Sequence, residues 1–145
     1  MYFVWDESYS VNNYPIDNQH QRLFTINNTL AENLQKGGDV TESELRKIIT
    51  DLLTFARTHF AAEEKYMIRV GYPDFEKHKA LHEAFETAIG VVEAELEKGD
   101  IHAVVSTLPE FVGNWLVQHI ASEDQKYANF VQGSARTDTS GNRGC

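Results

Sequence analysis

A chain of 145 residues that is 41% hydrophobic and 24% charged has the length of one domain and enough apolar material for one core. Its formal charge of −9, from 13 Lys and Arg against 22 Asp and Glu, leaves no basic surface to neutralise phosphates, which argues against nucleic acid and anionic membrane as partners. No apolar run approaches the ~20 residues of a bilayer span, and Met1-Tyr2-Phe3-Val4-Trp5-Asp6-Glu7 lacks the basic start and apolar stretch of a secretion signal, so the cytoplasm is the expected compartment.

With three prolines and nine glycines and apolar residues at helical rather than alternating spacing, the chain reads as all-α. A first helix is predicted from near Pro15 to Asn18, with Ile16, His20, Leu23, Phe24, Asn27, Leu30 and Leu34 on one face and a stop at Gly37-Gly38. Thr41 and Glu44 have the spacing of a capping box and open the second helix. Its inward stripe is Leu45, Ile48, Ile49, Leu52, Ala56, His59, Glu63, Met67 and Val70, with Gly71 as a left-handed cap and Pro73 beyond it.

Asp74 is the expected N-cap of a third helix whose stripe is Phe75, His78, Leu81, His82, Phe85, Ile89, Val92 and Leu96, closed by Gly99. Asp100 caps a fourth. Its stripe runs Ile101, Val104, Val105, Leu108, Phe111, Val112, Trp115, Leu116, His119, Ile120 and on to Tyr127. The period continues across Pro109, which predicts a kink rather than two helices. Short connections favour an antiparallel up-down-up-down four-helix bundle, crossed by an irregular N-terminal arm from Tyr2 to Tyr14. The domain is expected to span residues 1–131. Residues 132–145 carry almost nothing to bury and are expected to form a disordered tail.

Five of the six histidines, His20, His59, His78, His82 and His119, fall within these buried stripes, whereas His102 points away from its own. Residues four apart on a helix differ by only about 40° in direction and about 6 Å in height. His59 with Glu63, and His78 with His82, therefore each aim two ligands from one face. A lone buried histidine is ordinarily a hydrogen-bonded core residue, but five imidazoles with acids in one small bundle leave many polar atoms unpaired, at ~1–3 kcal/mol each. Metal ions are the partner that removes this cost. Cys145, the sole cysteine, is the last residue, and a donor set of imidazole and carboxylate without sulfur suits iron or manganese better than structural zinc. The remaining acid is Asp124 or Glu123. Glu123, four residues from His119, is the choice regular geometry favours. Asp124, at five, is turned by about 140° and requires a π-type bulge between His119 and Asp124. Tyr127 is either a donor to the site or a core aromatic with its hydroxyl at the surface.

The segments Ile16-Asp17-Asn18-Gln19-His20-Gln21-Arg22-Leu23-Phe24, His59-Phe60-Ala61-Ala62-Glu63-Glu64, His78-Lys79-Ala80-Leu81-His82 and Trp115-Leu116-Val117-Gln118-His119-Ile120-Ala121-Ser122-Glu123-Asp124 resemble the hemerythrin family, above all its bacterial members. The resemblance runs from the Trp5 region to about Phe130. It implies that His78, His82 and His119 bind one iron, that His20 and His59 bind the other, and that Glu63 and Asp124 bridge them, choosing Asp124 over Glu123. With a solvent-derived oxo or hydroxo bridge as well, two six-coordinate irons keep a single open position, on the iron with two histidines. The implied ligand is dioxygen, bound reversibly by a carrier, store or delivery protein rather than an enzyme. The alternatives are a diiron redox enzyme acting on peroxide or nitric oxide, and an oxygen or redox sensor. The positions that match the family's oxygen pocket are Leu23, Phe60, Trp115, Leu116, Ile120 and Ala121. Ala121 stands where the resemblance leads one to expect leucine, which implies a roomier pocket, faster autoxidation and some peroxidase-like reactivity.

Overall fold

The computed structural model describes residues 3–35 and 40–143, and among them there is no strand. Helices α1 (Tyr14–Gln35), α2 (Glu42–Val70), α3 (Phe75–Glu97) and α4 (Ile101–Gln118) are followed without a break by a π-helical segment (His119–Asp124) and α5 (Gln125–Arg143). The last three make one rod. Helix α1 packs against α2 and α4, and α3 against the same two, so four rods enclose one core in the expected order. No helix among the described residues is long and apolar enough to cross a membrane.

Local chemistry sets the ends. The Thr41 hydroxyl accepts the Glu44 amide and the Glu44 carboxylate accepts the Thr41 amide, both at 3.1 Å, which satisfies two otherwise orphaned donors of α2. Thr41→Ala is expected to cost about 1 kcal/mol, read as a lower denaturation midpoint of the metal-free chain. At the other end Gly71 adopts φ 73°, a conformation open to glycine at no cost, and the Tyr72 amide reaches back to the Met67 carbonyl at 3.0 Å, closing the helix. Asp100 caps α4 through the Ala103 amide at 3.2 Å. Asp74 precedes α3 as expected, but its side chain makes no capping bond; its backbone, at φ −97° and ψ 25°, is outside the extended region from which an N-cap side chain turns back. The stop expected at Gly37-Gly38 lies outside the described residues.

The predicted face of α1, from Ile16 through Leu34, is buried throughout, as are Leu45, Ile49, Leu52, Phe85, Ile89, Leu96, Leu108 and Val112. Two stripe residues are corrected. Leu81 and Phe111 are 36% and 38% exposed, because each lies at the margin of its apolar arc. Phe111 still stacks against Phe85, with ring centroids 6.4 Å apart. Helix α4 runs across Pro109 as one element, and the Pro109 carbonyl accepts the side-chain amide of buried Asn27 at 3.3 Å. The segment from Gln132, expected to be without structure, is helical as far as Arg143. Once the bundle has nucleated α5, each further residue adds a hydrogen bond for little cost, and poor helix formers follow. Gly144 and Cys145 lie outside the described residues.

The N-terminal arm is irregular apart from a turn at Glu7–Tyr9. The Phe3 ring lies on Gly113 of α4, where an added Cβ would sit 1.9 Å from a ring carbon. The Asn28 side chain exchanges hydrogen bonds with the Phe3 backbone at 2.9 and 2.8 Å. Further along, Gln125 donates to the Tyr9 and Ser10 carbonyls at 3.1 and 3.3 Å, which straps the arm over the π-helical segment. Trp5 thereby comes within 6.4 Å of the His20 ring.

Candidate metal centre

Each rod contributes inward groups at one level of the bundle. His20 comes from α1, His59 and Glu63 from α2, His78 and His82 from α3, and His119 and Asp124 from the fourth rod; all seven are buried. The i, i+4 pairs on α2 and α3 share a face by regular geometry. The pair on the fourth rod does so because residues His119–Asp124 are π-helical, which offsets the rotation that five residues make in an α-helix. Glu123 instead lies part-exposed and pairs with Lys126 at 3.0 Å. His102 is exposed.

The carboxylates divide the histidines into two sets. Glu63 Oε1 lies 2.9 Å from His78 Nε2 and 3.1 Å from His82 Nε2, while its Oε2 lies 3.2 Å from the Nε2 atoms of both His20 and His59. Asp124 Oδ1 lies 3.0 Å from His78 and 3.1 Å from His119, and its Oδ2 lies 3.1 Å from His20. Two acids thus each turn one oxygen toward a three-histidine set and the other toward a two-histidine set. Donor atoms of Glu63, His78, His82, His119 and Asp124 form one compact group, and those of His20, His59 and Glu63 a second.

Glu63 has hydrogen-bond geometry toward His20, His78 and His82, but the contacts of Asp124 are not ordinary hydrogen bonds. Both Asp124 oxygens are buried and accept none despite three imidazole nitrogens about 3 Å away, so the nitrogens do not point their N–H bonds at the oxygens. His119 Nε2 lies 3.1 Å from the Nε2 atoms of both His82 and His78, and three neutral imidazoles meeting through these atoms cannot all be donors. Separations of about 3 Å are the edges of an octahedron with bonds of about 2.1 Å. The donor set therefore fits cations bound by nitrogen and oxygen, and among the ions that favour such ligands iron is a good match.

Outer ring nitrogens fix two of the imidazoles, whereas Nδ1 of His20 and of His78 is buried without a hydrogen-bond partner. Gln19 Oε1 accepts His59 Nδ1–H at 2.7 Å, and Glu64 Oε2 accepts His82 Nδ1–H at 2.9 Å, leaving each Nε2 lone pair directed inward. Sequence reasoning gave neither Gln19 nor Glu64 a role; each sits beside a candidate ligand in the sequence, but the partner ring belongs to another helix. Tyr127 is fully buried and its hydroxyl donates to Glu63 Oε2 at 3.2 Å, which decides between the two readings of that residue. Burial and the neighbouring Glu63 and Asp124 push its hydroxyl well above its usual range, so it remains a donor.

Apolar side chains close the space around the histidines. Phe60 stacks on His82 at 4.0 Å and Trp115 on His119 at 4.4 Å. Phe85, which the sequence placed only in the core, packs on Phe60 at 5.8 Å and Trp115 at 4.4 Å. Leu23, Leu116 and Ile120 belong to the same hydrophobic cluster. Ala121 is exposed, a correction to its expected place in the pocket. The π turn that brings both His119 and Asp124 inward carries Ala121 and Ser122 outside.

In the metal-free chain the imidazoles compete for protons. Burial opposes charge on His20 and His119, but Asp124 and Glu63 outweigh it and hold them at about 9 and about 10, above the ordinary 6.5. Burial lowers His59. Burial also disfavours the charged forms of Glu63 and Asp124, yet the facing imidazoles keep both carboxyls below their usual range. Raised histidines stabilise the fold fully below pH 6.5 and lose that contribution as pH rises through 9 to 10; depressed carboxyls lose theirs only as pH falls into the acid range. The unfolding temperature of the metal-free chain is therefore expected to decline between pH 6.5 and 10. That of the metal-loaded chain is expected to stay level there, because the cation replaces those protons.

A family model described as the hemerythrin HHE cation binding domain matches residues 13–131. The bacteriohemerythrin of Clostridium acetobutylicum is 29% identical over 126 residues, covering 86% of this chain and 98% of its own. A hemerythrin-like protein of Naegleria fowleri is 33% identical over 86% of this chain and 90% of its own, and a hemerythrin chain from Sipunculus nudus is 32% identical over 89% and 93%. A crystal structure of wild-type hemerythrin superposes with a TM-score of 0.76 at 29% identity, covering 88% of this chain and 95% of the other. With a family model matched along most of its length and a bundle that brings buried histidines and acids to one level, this chain belongs to the hemerythrin family.

Proposed function

We propose that this chain binds dioxygen reversibly at a non-heme diiron centre and serves as an oxygen carrier, store or delivery protein in the cytoplasm. The functional unit is the bundle with its arm, residues 1–131, a boundary supported by the end of the family match at residue 131. His78, His82 and His119 would hold one iron and His20 and His59 the other, with Glu63 and Asp124 shared between the two. The observation that carries this reading is the division of both carboxylates between the two histidine sets. His20 and His59 would give their iron fewer protein ligands than the other receives, so dioxygen would be taken up on that side. The iron pair, when bound, supplies the two electrons that dioxygen draws on as it is held.

The protein's own task is to keep that binding reversible. Nε2 lone pairs are aimed inward by bonds on the far side of the ring for His59 and His82. Phe60, Phe85 and Trp115 cover the three-histidine side, and the surrounding Leu23, Leu116 and Ile120 exclude the water that would promote oxidation and proton leakage. Tyr127, committed to Glu63, holds its proton instead of delivering it. The enzyme alternative drew on space beside Ala121, and with Ala121 exposed that support is gone. Ala121→Leu is expected to leave the autoxidation rate, followed in air by visible absorption, unchanged.

The test is the visible spectrum of anaerobically reduced, iron-loaded protein taken through cycles of air and argon. A charge-transfer band that appears and disappears with oxygen supports the proposal. A one-way change with peroxide turnover well above that of free iron contradicts it.

A further inference from the structure

His59 of one set and His82 of the other each have an outer partner, and the two partners differ in charge; Nδ1 of His20 and of His78 has none. On the two-histidine side, the His59 Nδ1–H meets a neutral amide, Gln19 Oε1, at 2.7 Å. On the three-histidine side, the His82 Nδ1–H meets a carboxylate, Glu64 Oε2, at 2.9 Å, and the Glu64 side chain is only 20% exposed. A hydrogen bond to an ionic acceptor is about twice as strong as a neutral one, and it passes electron density through the ring to whatever Nε2 binds. Orientation alone does not require this charge. The His82 plane is already set by Phe60, stacked at 4.0 Å and 8°, and the amide of Gln19 shows that a neutral acceptor suffices to fix a ring.

We propose that Glu64 is a positioning residue that acts through His82 to make the three-histidine iron the more readily oxidised of the pair, while Gln19 keeps the two-histidine iron electron-poorer. The inference rests on the division of ligands given under the proposed function. Its consequence is a division of labour. The three-histidine iron is tuned as an electron donor, and the iron that meets dioxygen is left less prone to oxidise on its own.

Potentiometric titration of the iron-loaded full chain, followed optically, tests this with Glu64→Gln and Gln19→Glu, two changes that alter charge and little else. Glu64→Gln is expected to shift the balance toward the ferrous form by about tenfold, ~59 mV for a one-electron step, and to slow autoxidation several-fold. Gln19→Glu is expected to move the potential the other way. Anaerobic ferrous titration of the metal-free chain should show about tenfold weaker binding in Glu64→Gln, the low end of what loss of an outer partner costs. Opposite shifts in the two variants support the inference. Unmoved potentials in variants that still hold an iron pair overturn it, as does weaker iron binding with an unchanged potential, which would make Glu64 a structural contact. A wild-type chain that takes up a single iron overturns the underlying ligand assignment as well.

Discussion

Glu63→Gln is expected to leave the chain unable to hold a pair of irons. The carboxylate is fully buried, and its two oxygens face four imidazoles from three different helices at 2.9 to 3.2 Å. Glutamine keeps the size but replaces one acceptor with an NH2 donor and removes the negative charge, so one histidine set faces a group that cannot ligate. Loss of an outer partner weakens metal binding about 10–100-fold; loss of a bridge is expected to exceed that, with iron content falling to one per chain or none. The metal-free variant is also expected to be destabilised, by ~3–5 kcal/mol, since removing one member of a buried ionic cluster strands the others. Iron analysis after anaerobic reconstitution and desalting checks the first effect, and urea unfolding of the metal-free variant the second.

The next largest effect separates two neighbouring acids. Asp124→Asn is expected to abolish the dinuclear centre in the same assay, whereas Glu123→Gln leaves iron content and spectrum as in the parent chain. Asp124 turns both oxygens inward, each about 3 Å from at least one imidazole nitrogen, and neither accepts a hydrogen bond. Glu123 is part-exposed and held by Lys126 at 3.0 Å, so it cannot replace Asp124 without unwinding the π-helical segment. Losing its exposed ion pair costs at most about 1 kcal/mol. Retention of two irons by Asp124→Asn, or their loss in Glu123→Gln, would reverse the assignment.

Much of this architecture is legible in the order of residues, for identifiable reasons. The capping box of Thr41 and Glu44 and the cap at Gly71 are local, so sequence spacing suffices to find them. The burial of His20, His59, His78, His82 and His119 follows from apolar residues one turn away on either side. The distortion between His119 and Asp124 is legible as a conflict, since a spacing of five cannot place two ligands on one face of a regular helix. Contacts across helices are harder to read. Glu64 looks like a solvated acid beside Glu63, and nothing in the sequence of α2 reveals that His82 of α3 will meet it. Ala121 fails for the opposite reason. Position relative to His119 implied the pocket, but the π turn redirects the residues between the two ligands, and a reading by offset alone does not carry that rotation.

Helix ends depend on more than composition. Asp74 has the chemistry of an N-cap without its backbone angles. The residues after Val131 have a composition poor in helix formers, yet they continue a helix already begun inside the bundle. In both cases the neighbouring structure, rather than the residue itself, decides.

The central claim is that imidazoles and two shared acids enclose a pair of irons. X-ray absorption at the iron edge, on reconstituted protein with its iron content measured alongside, addresses it most directly. The account predicts two irons per chain, nitrogen and oxygen neighbours with no sulfur, and an iron–iron scattering path. A lone iron with no metal neighbour, or coordination that includes sulfur, would contradict it.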